Sequence, residues 1–184
     1  MKKKILLVGG CGFIGHNLAL KLKKKGNSVF ITDSLSVNNI LSFTDSDIKN
    51  KNLYRSILNN RLELLNKNGI NLTVQDARDY EAITKLYDKF DPDIIIHLAA
   101  VSHANKSNKD PHSTFDHSFR TLENTLDFAR TKKRHVIYLS SSMVYGNFNS
   151  KEVSEETACS PIGIYGTLKY SGELLVKAYN QVFD

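Results

Sequence analysis

Short apolar runs alternate with longer segments of helical spacing along most of the chain. Compact apolar and β-branched runs indicate buried strands, whereas apolar residues that recur about every three or four positions indicate amphipathic helices. Because strands that alternate with helices pair in parallel through right-handed crossovers, the pattern predicts an α/β fold. We expect a doubly wound parallel sheet of the Rossmann type with strand order 3-2-1-4-5. The predicted strands are residues 5–8, 28–32, 72–74, 93–98 and 136–140, and the predicted helices are residues 13–24, 53–66, 80–89, 115–130 and 164–182.

The interval 34–71 interrupts this rhythm, because it is polar and rich in asparagine and lysine. It contains one segment of helical spacing, residues 53–66, with apolar residues on one face. This helix could be a lid or a contact to a partner subunit. The favoured interpretation is a surface helix inserted in a crossover.

The bulk composition fits one globular domain, because 41% of the 184 residues are hydrophobic and 24% are charged. Cys11 and Cys159 lie far apart, which favours a reduced, cytoplasmic protein without a disulfide. The apolar runs at residues 5–8 and 94–101 are too short for a secretory signal or a membrane span. We therefore expect no membrane partner.

The net charge of +6 raises the question of nucleic-acid binding. The basic residues concentrate at 21–25 and 132–134, where the pattern places the C-termini of helices. The helix dipole favours cations there, and no interleaved aromatic platform accompanies them. We expect no nucleic-acid partner.

A glycine-rich loop follows the first strand, with Gly9, Gly12 and Gly15 at its turn, at a close approach to phosphate, and at the helix–sheet contact. The N-terminal N–H groups of the next helix would then face a dinucleotide diphosphate. Asp33 ends the second strand, where a carboxylate accepts hydrogen bonds from ribose hydroxyls and repels a 2′-phosphate, so NAD is the expected cofactor. Asp76 is placed to meet the adenine edge or to cap the following helix, and Asp79 is the better cap.

Motifs along the whole length resemble the extended short-chain dehydrogenase/reductase family, which includes nucleotide-sugar epimerases and dehydratases. They are GGCGFIG at 9–15, Asp33, DAR at 76–78, HLAA at 97–100, SSSMVYG at 140–146 and YGTLK at 165–169. The resemblance implies that Tyr165 is the acid/base, that Lys169 binds the nicotinamide ribose and favours the phenolate, and that Ser141 positions the reacting hydroxyl. The further cofactor positions that it implies are Phe13, Ile14, Ser34, Ala77, Leu98, Ala99, Ala100 and Ser102.

The chemistry of the last two motifs agrees with this assignment. Tyr165 and Lys169 stand four positions apart on one predicted helix face, and a nearby ammonium favours a phenolate. Ser141 follows a strand, at the edge where open α/β sheets bind ligands. An ordinary exposed pair on a helix is the alternative for Tyr165 and Lys169, and the glycine loop and the serine run speak against it.

For the other polar residues, the sequence favours a structural role or leaves the role undecided. Ser140 and Ser142 are expected to satisfy local backbone groups, and His97 to pack at a strand end, so no metal site is predicted. His103 and Lys106 could reach the substrate or could equally be solvated. The family often has asparagine at His117–Ser118 and a Gly-Thr pair at Thr121–Leu122, so a cofactor contact there is weakened or replaced.

Three residues disfavour other reactions that the family carries out. Dehydratases of the family carry an Asp-Glu pair where this chain has Ser142 and Met143, and methionine cannot act as an acid or a base. Asp33 disfavours NADPH-dependent reductases. We expect an NAD-dependent nucleotide-sugar epimerase that acts at carbon 4 through a keto-sugar. The alternatives are a nucleotide-sugar decarboxylase or dehydrogenase, and a non-catalytic NAD-sensing module.

The resemblance also sets the expected domain organisation. Relatives continue with a sixth strand and a C-terminal substrate domain, so residues 1–184 are expected to be the NAD-binding domain of a longer enzyme and a poor catalyst alone. Family members often form homodimers through a four-helix bundle, here from helices 115–130 and 164–182. The apolar stripes of these helices would serve the core of a monomer equally well.

Overall fold

The computed structural model describes residues 2–37, 39–43, 49–102, 104–148 and 151–183. Its centre is a five-stranded parallel sheet with strand order β3-β2-β1-β4-β5, which confirms the predicted topology. In the middle of the sheet, Leu6 pairs in register with Phe30 on one side and Ile95 on the other. The strands are β1 (Lys4–Val8), β2 (Ser28–Asp33), β3 (Asn71–Val74), β4 (Ile94–His97) and β5 (His135–Tyr138).

Helices cover both faces of the sheet and follow each strand in turn. Short 3₁₀ turns occur at Ile40–Phe43 and Ser142–Tyr145, and a π-helical turn occurs at Asp116–Arg120. The helices are α1 (Phe13–Lys24), α2 (Lys51–Lys67), α3 (Tyr80–Phe90), α4 (Ala104–Lys109), α5 (Pro111–Phe115), α6 (Thr121–Lys132) and α7 (Gly163–Phe183). None of the helices in these described ranges is long and apolar enough to cross a bilayer.

The core lies on both faces of β1, because this central strand is enclosed by neighbours and helices. Leu6, Leu7 and Val8 are fully buried. Leu7 belongs to a cluster formed with α1 and the C-terminal half of α2, whereas Leu6 and Val8 belong to a cluster formed with α3 and α6. A strand buried on both faces is apolar without alternation, and this is the pattern that predicted it.

The predicted basic helix ends are confirmed. Lys21, Lys23 and Lys24 lie in the last turn of α1. At the end of α6, Lys132 pairs with Asp88 at 3.3 Å, and Arg134 beyond it pairs with Asp91. These basic residues therefore lie at the C-termini of helices, where the sequence pattern placed them.

The predicted helix 115–130 is helical throughout, but it contains a π-helical turn that the sequence did not predict. A π-helical turn at Asp116–Arg120 separates α5 from α6. Within it the hydroxyl of Ser118 accepts a hydrogen bond from the backbone N–H of Val101 (3.1 Å), and the hydroxyl of Thr121 donates to the carbonyl of His117 (3.0 Å). Side chains that bond to nearby backbone compete with regular helix, and π-turns inside helices often accompany functional sites.

The apolar stripes of α6 and α7 differ in burial. Leu122 and Leu126 of α6 are buried in the monomer. Leu174 of α7 is 49% exposed and Phe115 of α5 is 43% exposed, and Ala178 is exposed as well. The α6 leucines therefore serve the core, while α7 presents apolar side chains outward.

Candidate functional site

A cavity of about 710 Å³ opens at the carboxyl edge of the sheet, between the N-terminus of α1, α2 and α7. Open α/β sheets bind ligands at this edge. All of the predicted cofactor positions border the cavity: Gly9, Gly12, Phe13, Ile14, Gly15, Asp33, Ser34, Asp76, Ala77, Leu98, Ala99, Ala100, Ser102, Tyr165 and Lys169.

The glycine loop forms one wall of the cavity and leaves room at one position. Gly12 is the N-cap of α1, with no side-chain cap for the first N–H groups of that helix. A Cβ on Gly12 would meet only the carbonyl oxygen of Gly9, at 3.7 Å, so the protein's own packing does not demand glycine there. A Cβ on Gly15 would lie 2.6 Å from Cα of Gly10, so the packing of α1 on the loop does demand it. These residues fit a group that places a diphosphate against the helix N-terminus.

Asp33 fastens the end of β2 to the glycine loop. Its Oδ2 accepts a hydrogen bond from the N–H of Cys11 (2.9 Å), and its Oδ1 accepts one from the N–H of Leu35 (2.8 Å). Burial raises the pKa of the Asp33 carboxyl, and these two N–H groups oppose that rise. Each carboxylate oxygen keeps a further lone pair, which can accept from a ribose hydroxyl.

Asp76 is held by an ion pair. The guanidinium of Arg78 donates to Asp76 at 2.7 Å and reaches Asp116 at 3.3 Å. Burial opposes ionisation of Asp76, but hydrogen bonds from Arg78 outweigh it and hold the pKa of the carboxyl below its ordinary range. The predicted cap is confirmed, because Asp79 accepts from the N–H of Ala82 (3.0 Å) at the start of α3.

Tyr165 and Lys169 lie on successive turns of α7, and both border the cavity. The ammonium of Lys169 donates to the carbonyl of Leu139 (2.7 Å) and lies 4.9 Å from the ring centroid of Tyr138. Gly172 allows this close approach of α7, since a Cβ there would lie 2.5 Å from the Tyr138 hydroxyl oxygen. The Lys169 side chain is thereby fixed between β5 and the cavity.

Burial lowers the pKa of Lys169 from its ordinary value of 10.5 to about 8. Between these two values the unfolded chain holds this proton and the folded chain does not, so stability rises with pH across that window. Below about pH 8 both states are protonated, and the folded state bears the full cost of burying the charge. The shift corresponds to about 3 kcal/mol.

We expect Lys169→Met to remove this pH dependence. The free energy of unfolding of the variant minus that of the wild type should fall by about 2–3 kcal/mol between about pH 7 and about pH 10. Urea unfolding at both pH values measures it, with Lys177→Met as the control on an exposed position of α7. A difference that does not change with pH would show that Lys169 is not desolvated.

His97 ends β4 and is fully buried beneath the cavity. Its Nδ1 lies 3.1 Å from the Thr125 hydroxyl, and its Nε2 lies 3.4 Å from the Thr121 hydroxyl. Burial, assisted by the charge of Lys169, lowers its pKa to about 3, so the ring is neutral. His97 packs at the strand end, as predicted. In the described part of the chain, no three His, Cys, Asp or Glu residues form a group that could hold a metal.

The remaining residues that the sequence suggested for the site do not border the cavity or lie outside the described residues. The Ser141 hydroxyl accepts from the N–H of Met143 (3.2 Å) and caps a 3₁₀ turn, and Ser140 rather than Ser141 borders the cavity. The catalytic role of Ser141 stays a prediction. Lys106 lies in α4 and does not border the cavity, and His103 lies outside the described residues.

Two residues that border the cavity lie where the family resemblance implied a weakened or replaced cofactor contact: the π-helical turn brings His117 to the wall, and Thr121 follows it. Sequence reasoning missed the contribution of the inserted helix. The hydrophobic periodicity indicates which face of the inserted helix is apolar, but it does not indicate that this face borders a cavity. Four residues of α2 border the cavity: Tyr54, Ile57, Leu58 and Arg61.

Comparison with known proteins finds relatives along nearly the whole length of this chain. CapI of Staphylococcus aureus is 29% identical over 183 residues, which are 98% of this chain and 51% of CapI. UDP-glucuronate 4-epimerase 6 of Arabidopsis thaliana is 28% identical over 182 residues, which are 97% of this chain and 36% of that protein. This chain therefore spans about half, or less, of these curated relatives.

A solved structure shares the fold. The UDP-glucose 4-epimerase from Brucella ovis, in complex with NAD, matches with a TM-score of 0.80 over 98% of this chain and 49% of that chain, at 24% identity. Residues 5–184 also match the family described as "NAD dependent epimerase/dehydratase family", whose description names the cofactor expected from the sequence. With the match running from β1 to the end of α7, the chain belongs to the NAD dependent epimerase/dehydratase family.

Proposed function

We propose that the protein epimerises a nucleotide sugar at carbon 4, with Tyr165 as the group that takes and returns the hydroxyl proton. The observation that carries the proposal is that Tyr165 and Lys169 border one cavity together with the glycine loop and Asp33. This arrangement combines a dinucleotide site with an acid/base on the same sheet edge.

Proton transfer is the task of the chain's own residues. The Tyr165 phenol faces the cavity, and the Lys169 ammonium, fixed on the Leu139 carbonyl, supplies positive charge one helical turn away. In the proposed reaction the Tyr165 oxygen takes the proton of the sugar hydroxyl and later returns it. NAD, when bound, supplies the hydride chemistry at the adjacent carbon.

Relatives support the choice of carbon 4 and of a nucleotide sugar. The Arabidopsis relative is named a UDP-glucuronate 4-epimerase, and the Brucella structure is that of a UDP-glucose 4-epimerase. Met143 also favours epimerisation over dehydration, because its thioether, 39% exposed in the turn after β5, can neither donate nor accept the proton that elimination of water requires.

A homodimer through a four-helix bundle stays part of the proposal. The surface that it would use combines exposed Phe115, at the start of the predicted helix 115–130, with the outward face of α7, where Leu174 and Ala178 are exposed. The buried leucines of α6 are not available to a partner.

The test is incubation of the full-length enzyme, NAD and a UDP-sugar, with the 4-epimers separated by chromatography and the absorbance of reduced nicotinamide followed in parallel. UDP-glucose and UDP-glucuronate are the first substrates to try. We expect interconversion of 4-epimers without net accumulation of NADH. Stoichiometric NADH would instead indicate a dehydrogenase or an oxidative decarboxylase, and bound NAD without conversion of any sugar would indicate a sensing module.

A further inference from the structure

The inserted helix α2 is anchored at one end and borders the cofactor cavity at the other. Its C-terminal half packs Leu62 and Leu65 into the core cluster beside Leu18 and Leu22 of α1. Its N-terminal half brings Tyr54 and Ile57 to the cavity, although these two side chains are 47% and 41% exposed. Packing of α2 against the core does not explain why Tyr54 and Ile57 border the cavity and are partly exposed.

Arg61 is the cationic residue that α2 contributes to the cavity wall. Its guanidinium carbon lies 5.8 Å from the ring centroid of Phe13, the first residue of α1. The charge is therefore close to the N-terminus of α1, which itself favours an anion. The guanidinium and the helix N-terminus therefore place two groups that favour an anion at the same side of the cavity.

No carboxylate in the described ranges lies within salt-bridge distance of Arg61. Glu63, two positions further along α2, pairs with Lys67 instead (3.3 Å). Asp33 is engaged by two backbone N–H groups. A half-buried guanidinium that faces a cavity without a counter-ion is expected to receive one from a ligand.

We propose that Arg61 binds the diphosphate of the dinucleotide, so that α2 covers the adenosine half of the cofactor. This inference rests on the cofactor site proposed above. Arginine suits the role because its planar donors match phosphate oxygens in a bidentate way. The diphosphate is favoured over a 2′-phosphate, because Asp33 occupies the end of β2 where the ribose hydroxyls would lie.

Isothermal titration of NAD into wild-type protein and Arg61 variants tests the proposal. Arg61→Met keeps the apolar stem over Phe13 and removes the charge, and Arg61→Ala removes both. We expect each variant to weaken NAD about tenfold, since charge-assisted hydrogen bonds to phosphate would be lost. Arg55→Met on the exposed side of the same helix is the matched control, and it should bind NAD like the wild type.

Smaller ligands locate the contact. Binding of ADP, which carries the diphosphate, should weaken by the same factor in Arg61→Met, whereas adenosine should be unaffected. A selective loss of adenosine 2′,5′-bisphosphate would overturn the proposal, and so would wild-type affinity of Arg61→Met for NAD. Circular dichroism confirms that each variant is folded. If folded wild-type protein does not bind NAD, the cofactor site itself is refuted.

Discussion

Tyr165→Phe is expected to lower turnover about 10²–10⁴-fold while the affinity for NAD stays within about twofold of the wild type. The phenol oxygen is the acid/base in the proposed reaction, and its loss leaves the ring and the packing of α7 in place. Steady-state turnover of the UDP-sugar substrate and titration of NAD measure the two quantities. A matching fall in NAD affinity would show that the hydroxyl acts through cofactor binding, and the acid/base role would fail.

Tyr170→Phe supplies the matched control. It removes the same hydroxyl from the same helix, at a position that does not border the cavity. Turnover by this variant should equal that of the wild type. If both variants lose activity to the same extent, the effect comes from α7 as a whole, and the proposed role of Tyr165 fails.

The sheet and its order could be predicted because the signal for each strand is local. Leu6, Leu7 and Val8 form an apolar run between polar residues and a glycine loop, and the run is buried by neighbours on both sides. The crossover rule then leaves few topologies for strands separated by helices. Many of the predicted cofactor positions border the cavity for the same reason, since they follow strand ends.

The parts that could not be predicted depend on contacts between distant segments. The apolar face of α2 is visible in the sequence, but its position beside Phe13 follows from packing against α1. The π-helical turn includes a hydrogen bond between Ser118 and Val101, which are 17 residues apart. Periodicity describes one element at a time and contains no information about such contacts.

Ser141 illustrates a third limit, which is the direction of a side chain. The strand β5 lies where the sequence predicted it but ends earlier, at Tyr138 instead of Ser140, and the Ser141 hydroxyl caps the turn that follows. Three consecutive serines allow several ways to satisfy the backbone, and spacing cannot choose among them. Ser140 borders the cavity instead.

Gly12→Ala is expected to weaken NAD binding about 100-fold, or about 2.7 kcal/mol, with little change in stability. The added methyl group meets no part of the protein closer than 3.7 Å, and the backbone there is extended (φ −70°), which alanine adopts readily. The methyl group would occupy the space into which the diphosphate must come. Calorimetric titration of NAD and urea unfolding measure the two effects.

Gly15→Ala provides the contrast that makes this result interpretable. Its methyl group would lie 2.6 Å from Cα of Gly10, so α1 would have to move off the loop, at a cost of about 1–3 kcal/mol of stability. The two variants should therefore differ in which quantity changes. Gly12→Ala should lose NAD affinity and keep its free energy of unfolding, whereas Gly15→Ala should lose free energy of unfolding. Wild-type NAD affinity in Gly12→Ala would mean that the diphosphate does not rest on the N-terminus of α1. The proposed cofactor site, and with it the placement of Tyr165 beside the reacting carbon, would then have to be abandoned.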